Sequence, residues 1–375
     1  MRFLFACGGT AGHIYPALAV AGRLKELMPD CEILFVGAEG KMECELVPRE
    51  GFAIDTLQVT NLRRSVSFAG LRHNLGTVKN LLFAMGAAKR ILREFQPDVA
   101  VGTGGYVCYP VLKQAAKMGI PTAIHESNAV PGLTTKRLAQ VVDRVMLGLA
   151  DAKAAYPKSV SVTHTGTPVR AECLNLNKAA ARRELGLRAE DALVLSFWGS
   201  LGATGMNERM VDFIRMNHTN GRFRHIHATG GGEVVCEKLK AALAAKGVAL
   251  TADGNTDLRP YIYDMPRVMA AADVILCRAG ASTIAELSAM GKPVVLVPSP
   301  YVTGNHQEEN AKILEKNGGA ILRREADCTG EGLYQVVAAL LADPDRLQAM
   351  EAAMRGMGTP RATDKITGII LDMVK

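Results

Sequence analysis

Short apolar runs alternate along the chain with longer stretches in which apolar residues return every three to four positions, and glycines stand at the joins. Arg2 to Cys7 reads as a buried strand, Gly8 to His13 (GGTAGH) as a loop, and Pro16 to Met28 as an amphipathic helix. The order recurs in the second half, with a strand at Ala192 to Trp198, a loop at Gly199 to Ala203 (GSLGA) and a helix at Asn207 to Met216. Strands that are apolar throughout, separated by helices, predict α/β layers with parallel sheets buried on both faces. A Gly and Pro break at Thr165-Gly166-Thr167-Pro168 separates the halves. The chain therefore reads as two Rossmann-like domains, residues 1–166 and 167–358, with parallel sheets facing across a cleft. Residues 170–190 read as a linker and helical entry, and 359–375 as a last helix that can pack back on the N-terminal domain.

Length and composition narrow the classes. A chain of 375 residues fits two domains rather than one core. No apolar run approaches the roughly 18 residues that a membrane-spanning helix needs, and the start, MRFLFAC, runs into a glycine loop and reads as a strand, not a signal peptide. The eight cysteines are scattered without CxxC or any Cys/His cluster at zinc spacing, which points to a reducing cytoplasm and to no metal. A net charge of +7 admits nucleic acid, a membrane or an anionic substrate. The low aromatic content, 5%, and the lack of a nucleic-acid motif argue against the first.

Residues 273–310 carry the densest chemistry. Asp273 to Cys277 is a buried strand that breaks at Arg278 and Gly280, after which Ser282 and Thr283 open a helix whose free N–H groups would face a diphosphate. Glu286 follows one turn later, where a carboxylate can accept hydrogen bonds from both hydroxyls of a ribose. A second strand, Pro293 to Pro298, delivers a loop that offers His306, Gln307 and Asn310 to a sugar. This is the order of a nucleotide-sugar pocket. Two more glycine loops, Gly8 to Gly12 and Gly102 to Tyr106 (GTGGY), follow strands of the first half and suggest a second diphosphate there. GGTAGH does not match GxGxxG, and no acidic residue closes the second strand cleanly, so a dinucleotide-dependent dehydrogenase fits poorly.

The charge is concentrated. From Thr56 to Arg93 there is no Asp or Glu, while Arg63, Arg64, Arg72, Lys79, Lys89, Arg90 and Arg93 are basic. Apolar positions 71, 75, 78, 82 and 85 keep a helical period, so Leu75, Leu82 and Phe83 with Lys79, Lys89 and Arg90 would form a helix that lies on an anionic membrane. A core-facing helix with a solvated basic face is the alternative.

The blocks GGTAGHIYPALAVA, GTGGYVCYP, GIPTAIHESNAVPGLTTK, TGTPVR, WGSLGA, CRAGASTIAEL and NHQEENA span nearly the whole chain. In their order and spacing the chain resembles glycosyltransferase family 28, the peripheral-membrane N-acetylglucosaminyltransferases of bacterial peptidoglycan synthesis, which share the two-Rossmann-domain GT-B fold. The resemblance implies transfer of N-acetylglucosamine from UDP to the 4-hydroxyl of the N-acetylmuramoyl unit of undecaprenyl-diphospho-MurNAc-pentapeptide (lipid I), with inversion, at the cytoplasmic face of the cell membrane. It implies no cofactor and no nucleic-acid partner. It places Arg170, Ser200, Ile262, Arg278, Ser282, Thr283, Glu286, His306 and Gln307 in the donor pocket, with the Ile262 backbone on uracil, Ser200 on the diphosphate and Glu286 on the ribose. It places Thr10, Gly12, Gly104, Gly105, Tyr106 and Asn128 around the acceptor. His13 would be the base, kept neutral by its helix N-terminus, with Glu126 as second candidate. Four positions depart from the family pattern: Ala11, Ser127, Leu201 and His306. Another GT-B sugar transferase, a UDP-N-acetylglucosamine 2-epimerase and a non-catalytic nucleotide-sugar-binding protein are the competing expectations.

Overall fold

The structure, a computed structural model, describes residues 1–59, 68–251 and 254–374, and for 68–79 and 303 the backbone alone. Arg63 and Arg64 lie outside the described residues, as do the side chains of Leu75 and Lys79. The chain divides into two compact units, Met1–Val169 with Thr359–Lys375, and Arg170–Gly358.

In the first unit the described strands are β1 (Arg2–Cys7), β2 (Glu32–Ala38), β3 (Ala53–Leu57), β4 (Val99–Gly104), β5 (Thr122–Glu126), β6 (Arg144–Leu147) and β7 (Val162–His164). They form one parallel sheet in the order β3-β2-β1-β4-β5-β6-β7. Strand β1 shows why the apolar runs are continuous. Phe3, Phe5 and Cys7 pack on one face with Ile14, Ala17, Ala21 and Leu24 of the helix Ala11–Leu27. Leu4 and Ala6 pack on the other with Ala88, Ile91 and Leu92 of the helix Phe68–Phe95. The sheet order reverses between β1 and β4, so the loops after these two strands open side by side, where α/β sheets place ligands. The pattern predicts the first helix to start at Pro16, yet it starts at Ala11 with Pro16 inside it. Burial of Ile14 against the sheet outweighs the proline's preference for a first turn. The last helix, Ala362–Val374, packs Ile366 and Ile370 into the same core, and Asp364 pairs with Arg23 at 2.9 Å.

The helix Phe68–Phe95 does not turn Leu82 of the predicted stripe toward the core. Its buried positions include Ala84, Ala88, Ile91 and Leu92, whereas Leu82 and Phe83 are 70% and 68% exposed. Leu82, assigned by period to the apolar face, therefore lies away from the core. Lys89 and Arg90 are also exposed. Among the described residues, no helix is long and apolar enough to cross a membrane.

The second unit repeats the plan with β8 (Leu193–Phe197), β9 (Arg224–Ala228), β10 (Thr256–Arg259), β11 (Val274–Cys277), β12 (Val294–Leu296) and β13 (Ala320–Leu322). They form a parallel sheet in the order β10-β9-β8-β11-β12-β13, which reverses at β8 and β11. Leu195, Ile275 and Leu296 meet Ile284 and Leu287 of the helix Ala281–Met290 on one face. Val194, Leu276 and Val295 meet Met206, Met210 and Phe213 of the helix Thr204–Asn220 on the other.

Candidate functional site

In the first unit the loops after β1 and β4 are tied together. The Gly8 amide donates to the Gly104 carbonyl at 3.2 Å, and the Thr103 hydroxyl donates to the His13 carbonyl at 2.6 Å. Thr10 caps the helix Ala11–Leu27 through its carbonyl, which accepts from the His13 and Ile14 amides. Gly12 and His13 sit in that first turn, and Ala11 is its first residue, so its Cβ fits helical backbone. Gly104 and Gly105 have φ of 124° and 93°, which a side chain would strain. A Cβ at Gly104 would stand 2.4 Å from His13 Cδ2, and one at Gly105 would stand 2.4 Å from the Gly8 carbonyl oxygen. The missing side chains make room for the imidazole. Tyr106 follows, 46% exposed.

His13 Nδ1 lies 2.9 Å from the Gly8 carbonyl oxygen. A carbonyl only accepts, so Nδ1 bears a proton, and the neutral form of the ring with that proton has its lone pair on Nε2. Glu126 ends β5, and its carboxylate is engaged: Oε1 accepts from the Asn128 backbone and side-chain amides at 3.1 and 3.0 Å, and Oε2 from the Gly132 amide at 3.0 Å. These bonds fold the loop that carries Asn128. Beside it His125 is fully buried, held by the Gly166 carbonyl at 2.9 Å, and its pKa is lowered by burial. The Ser127 hydroxyl lies 3.3 Å from its other nitrogen.

Glu43 was not among the residues the sequence pointed to. It opens the helix Glu43–Arg49 and is wholly buried, with Oε1 accepting from the Ala38 amide at 2.9 Å and Oε2 from the Gly9 amide at 3.1 Å. The one hint in the sequence is an acidic residue shortly after the strand that neighbours β1.

In the second unit the named residues gather at the carboxyl ends of the strands. Ser200 is exposed after β8, and its carbonyl accepts from the Gly231 amide at 3.1 Å. Neighbouring Leu201 is exposed. Ile262 is buried in the segment after β10, between exposed Tyr261 and Tyr263. After β11, Gly280 is the N-cap of the helix Ala281–Met290, and the Ile284 amide is the first of its bonds back to the cap, at 2.9 Å. Ser282 and Thr283 are thus in the first turn, at the positive end of the helix dipole.

Glu286, one turn on, is met by Arg170 in a fork, with Nε at 2.7 Å from Oε1 and the second nitrogen at 3.1 Å from Oε2. Burial pulls the Arg170 guanidinium down, but the bonds and charge of Glu286 outweigh it, and its pKa is raised. The Cys173 thiol is pushed up to about 12 by burial and then by the Glu286 charge. Arg278 donates to the Val297 and Pro298 carbonyls at 3.0 and 3.3 Å, pairs with Glu325 at 2.7 Å, and lies 5.8 Å from the Trp198 ring centroid. Gln307 accepts from the Ser299 amide at 2.9 Å, and His306 is the first residue of the helix His306–Lys316. Asn310 is buried and donates to the Ala279 carbonyl at 3.1 Å, binding that helix to the loop after β11. Among the described residues, no group of three or more His, Cys, Asp or Glu side chains converges as metal ligands.

Behind the loops after β8 and β9 runs a buried polar chain. Asn207 donates to the Thr229 carbonyl at 3.0 Å, so its oxygen faces His227 Nε2 at 3.2 Å and that nitrogen is protonated. His227 Nδ1 then accepts from Ser196 at 2.7 Å, and Ser196 accepts from His225 Nε2 at 2.8 Å. Burial lowers the His227 pKa to about 3, and that of His225 falls well below the ordinary value through burial and then its neighbour.

Two parallel-sheet Rossmann-like units, with glycine loops at the switch point of the first and a helix start carrying Ser, Thr and Glu in the second, define a GT-B glycosyltransferase. The glycosyltransferase family 28 N-terminal domain matches residues 3–147 and its C-terminal domain residues 193–366. The chain belongs to that family. It is 42% identical over 370 residues to the UDP-N-acetylglucosamine--N-acetylmuramyl-(pentapeptide) pyrophosphoryl-undecaprenol N-acetylglucosamine transferase of Desulforudis audaxviator, covering 99% of this chain and 98% of that protein. It is 40% identical to the transferase of the same name from Listeria welshimeri, with both chains covered in full. The crystal structure of Acinetobacter baumannii MurG matches with a TM-score of 0.77 at 28% identity, covering 99% of each chain. A UDP-GlcNAc 2-epimerase from Neisseria meningitidis shares the fold, with a TM-score of 0.67 at 14% identity.

Proposed function

We propose that this chain transfers N-acetylglucosamine from UDP-N-acetylglucosamine to the 4-hydroxyl of the N-acetylmuramoyl unit of lipid I, inverting the anomeric carbon and forming lipid II. The names of its relatives, matched over the full length, support the substrates. The observation that carries the chemistry is His13, whose Nδ1–H is committed to the Gly8 carbonyl while Nε2 keeps a lone pair. In this reading the acceptor hydroxyl gives its proton to Nε2 as its oxygen bonds to the anomeric carbon, and UDP leaves with the electron pair of the broken bond. Thr10, Gly12, Gly104, Gly105, Tyr106 and Asn128 bind the acceptor. The occupied carboxylate of Glu126 favours an organising role for that residue over the base.

On the donor side, Ser200 and the start of the helix Ala281–Met290 hold the diphosphate, where amides and dipole suit an anion. Glu286 takes the ribose through lone pairs left over from Arg170, since each carboxylate oxygen accepts more than one bond. The Ile262 backbone takes the uracil, and Arg278, His306 and Gln307 shape the sugar's surroundings. No cofactor enters this scheme. The protein sits peripherally on the cytoplasmic face of the membrane, held by exposed Leu82 and Phe83 with Lys89 and Arg90.

The test is incubation with UDP-N-acetylglucosamine and a short-chain, water-soluble lipid I analogue. Transfer releases UDP and adds one hexosamine to the acceptor. N-acetylmannosamine formed without acceptor would mark an epimerase, and binding with no turnover a non-catalytic protein.

A further inference from the structure

The Gly8–Gly9 peptide group is gripped at both ends. Its carbonyl accepts from His13 Nδ1 at 2.9 Å, and its N–H donates to Glu43 Oε2 at 3.1 Å. Glu43 is wholly buried, and the chain is cut away around it: a Cβ at Gly8 would stand 2.2 Å from Oε1, and one at Gly37 would stand 2.6 Å from Cγ. Burying a carboxylate is costly unless it is hydrogen-bonded, and here two backbone amides, those of Ala38 and Gly9, supply the bonds.

We propose that Glu43 is a positioning residue for His13, acting through the Gly8–Gly9 peptide to hold the imidazole in its Nδ1–H tautomer. This rests on the reading of His13 as the base. A peptide group is one resonance unit, so a negative acceptor on its N–H draws electron density toward its oxygen. Bonds chained in this way strengthen one another by about 10–30% each. The carbonyl facing His13 is therefore a stronger acceptor than an ordinary loop carbonyl, and it selects the ring form whose Nε2 is free to take a proton. A carboxylate suits the place because both of its oxygens accept. A glutamine there would offer one acceptor and turn donors toward the other amide.

The test is the imidazole ¹⁵N spectrum of histidine-labelled protein, recorded about two units above the ordinary histidine pKa, with the His13 signals identified by their loss in His13→Ala. The wild-type ring should show a protonated Nδ1 and an unprotonated Nε2. In Glu43→Gln the ring should shift toward the Nε2–H form, with kcat about tenfold to a hundredfold lower and KM for UDP-N-acetylglucosamine unchanged. That loss is smaller than the roughly 10⁴ that follows when a carboxylate directly on a catalytic imidazole is neutralised. A residue that merely braced the fold would leave the tautomer alone. An unchanged tautomer and kcat in a folded Glu43→Gln overturn the proposal, as does a wild-type ring protonated mainly on Nε2, and that second result needs no variant to fold. Should His13→Ala keep its kcat, the base assignment fails, and the spectrum still decides the role of Glu43 separately.

Discussion

The two units share a sheet plan but build their loops by opposite means. In the first, backbone does the work: glycines at 104 and 105 clear space for His13, and the charged groups nearby, Glu43 and Glu126, turn inward to grip amides. In the second, charged side chains grip one another, Arg170 with Glu286 and Arg278 with Glu325. A neutral, oriented imidazole needs a fixed acceptor and little competing charge. A doubly charged nucleotide is better met by side chains already paired and placed, because little ordering is left to do on binding. The contrast suggests that chemistry resides in the first unit and donor affinity in the second.

The largest effect that could break this division is at His13. Replacement by Ala should lower kcat by roughly 10² to 10⁴ and leave the dissociation constant for UDP-N-acetylglucosamine nearly unchanged, as steady-state kinetics and calorimetry on one preparation would show. A rise in acceptor KM with kcat preserved would instead make His13 a binding residue. Next comes Glu286→Ala, which should weaken UDP binding by about 2 to 4 kcal/mol, at roughly 1.5 to 3 kcal/mol per bond to a charged group. It should also abolish discrimination against 2′-deoxy-UDP, and kcat at saturating donor should change far less than in His13→Ala.

Stability with pH sharpens the comparison further. His225 and His227 are held neutral by burial, with folded pKa values below the unfolded value of about 6.5. The unfolded chain therefore takes up protons that the folded unit refuses. Their contribution is complete above about pH 6.5 and is lost as pH falls toward about 3, the value for His227. The expected slope is about 1.4 kcal/mol per pH unit for each histidine. Urea unfolding followed by the fluorescence of Trp198, the chain's single tryptophan, reads this unit. A flat midpoint between pH 6.5 and 5 would show that the polar chain tolerates a proton.

The smallest effect concerns the membrane. Neutralising Lys89 or Arg90 singly should cost about 1 kcal/mol of binding to anionic vesicles, with less salt dependence. Leu82→Ser with Phe83→Ser should also reduce sedimentation, while turnover of the water-soluble acceptor is spared. Unchanged binding in both would return the helix to an ordinary surface role.

Much of this was legible in the sequence because strand, glycine loop and helix follow one another within a few residues. Ser282, Thr283 and Glu286 keep their helical spacing, and the loops after β1 and β4 lie where the apolar runs end. What was not legible depends on distant pairs. Arg170 and Glu286 were each named, but nothing in a pattern joins residues 116 apart. Glu43 serves the loop after β1 from a helix that follows β2, and its place is marked mainly by side chains that Gly8 and Gly37 lack. In the long helix the expected membrane-facing stripe runs through exposed residue 82, while the sheet takes positions 84, 88, 91 and 92. Periodicity finds an apolar face but not which rotation about the axis meets the sheet.

The central claim is a single displacement at the anomeric carbon with His13 as the base, and the anomeric configuration of the product tests the displacement most directly. The donor sugar is α-linked to UDP, so one attack by an activated 4-hydroxyl must give a β-linked disaccharide, read from the proton coupling at the anomeric centre by NMR. The account predicts the β linkage alone in the wild-type product. An α-linked product would mean net retention, which a single back-side displacement cannot give, and would contradict it.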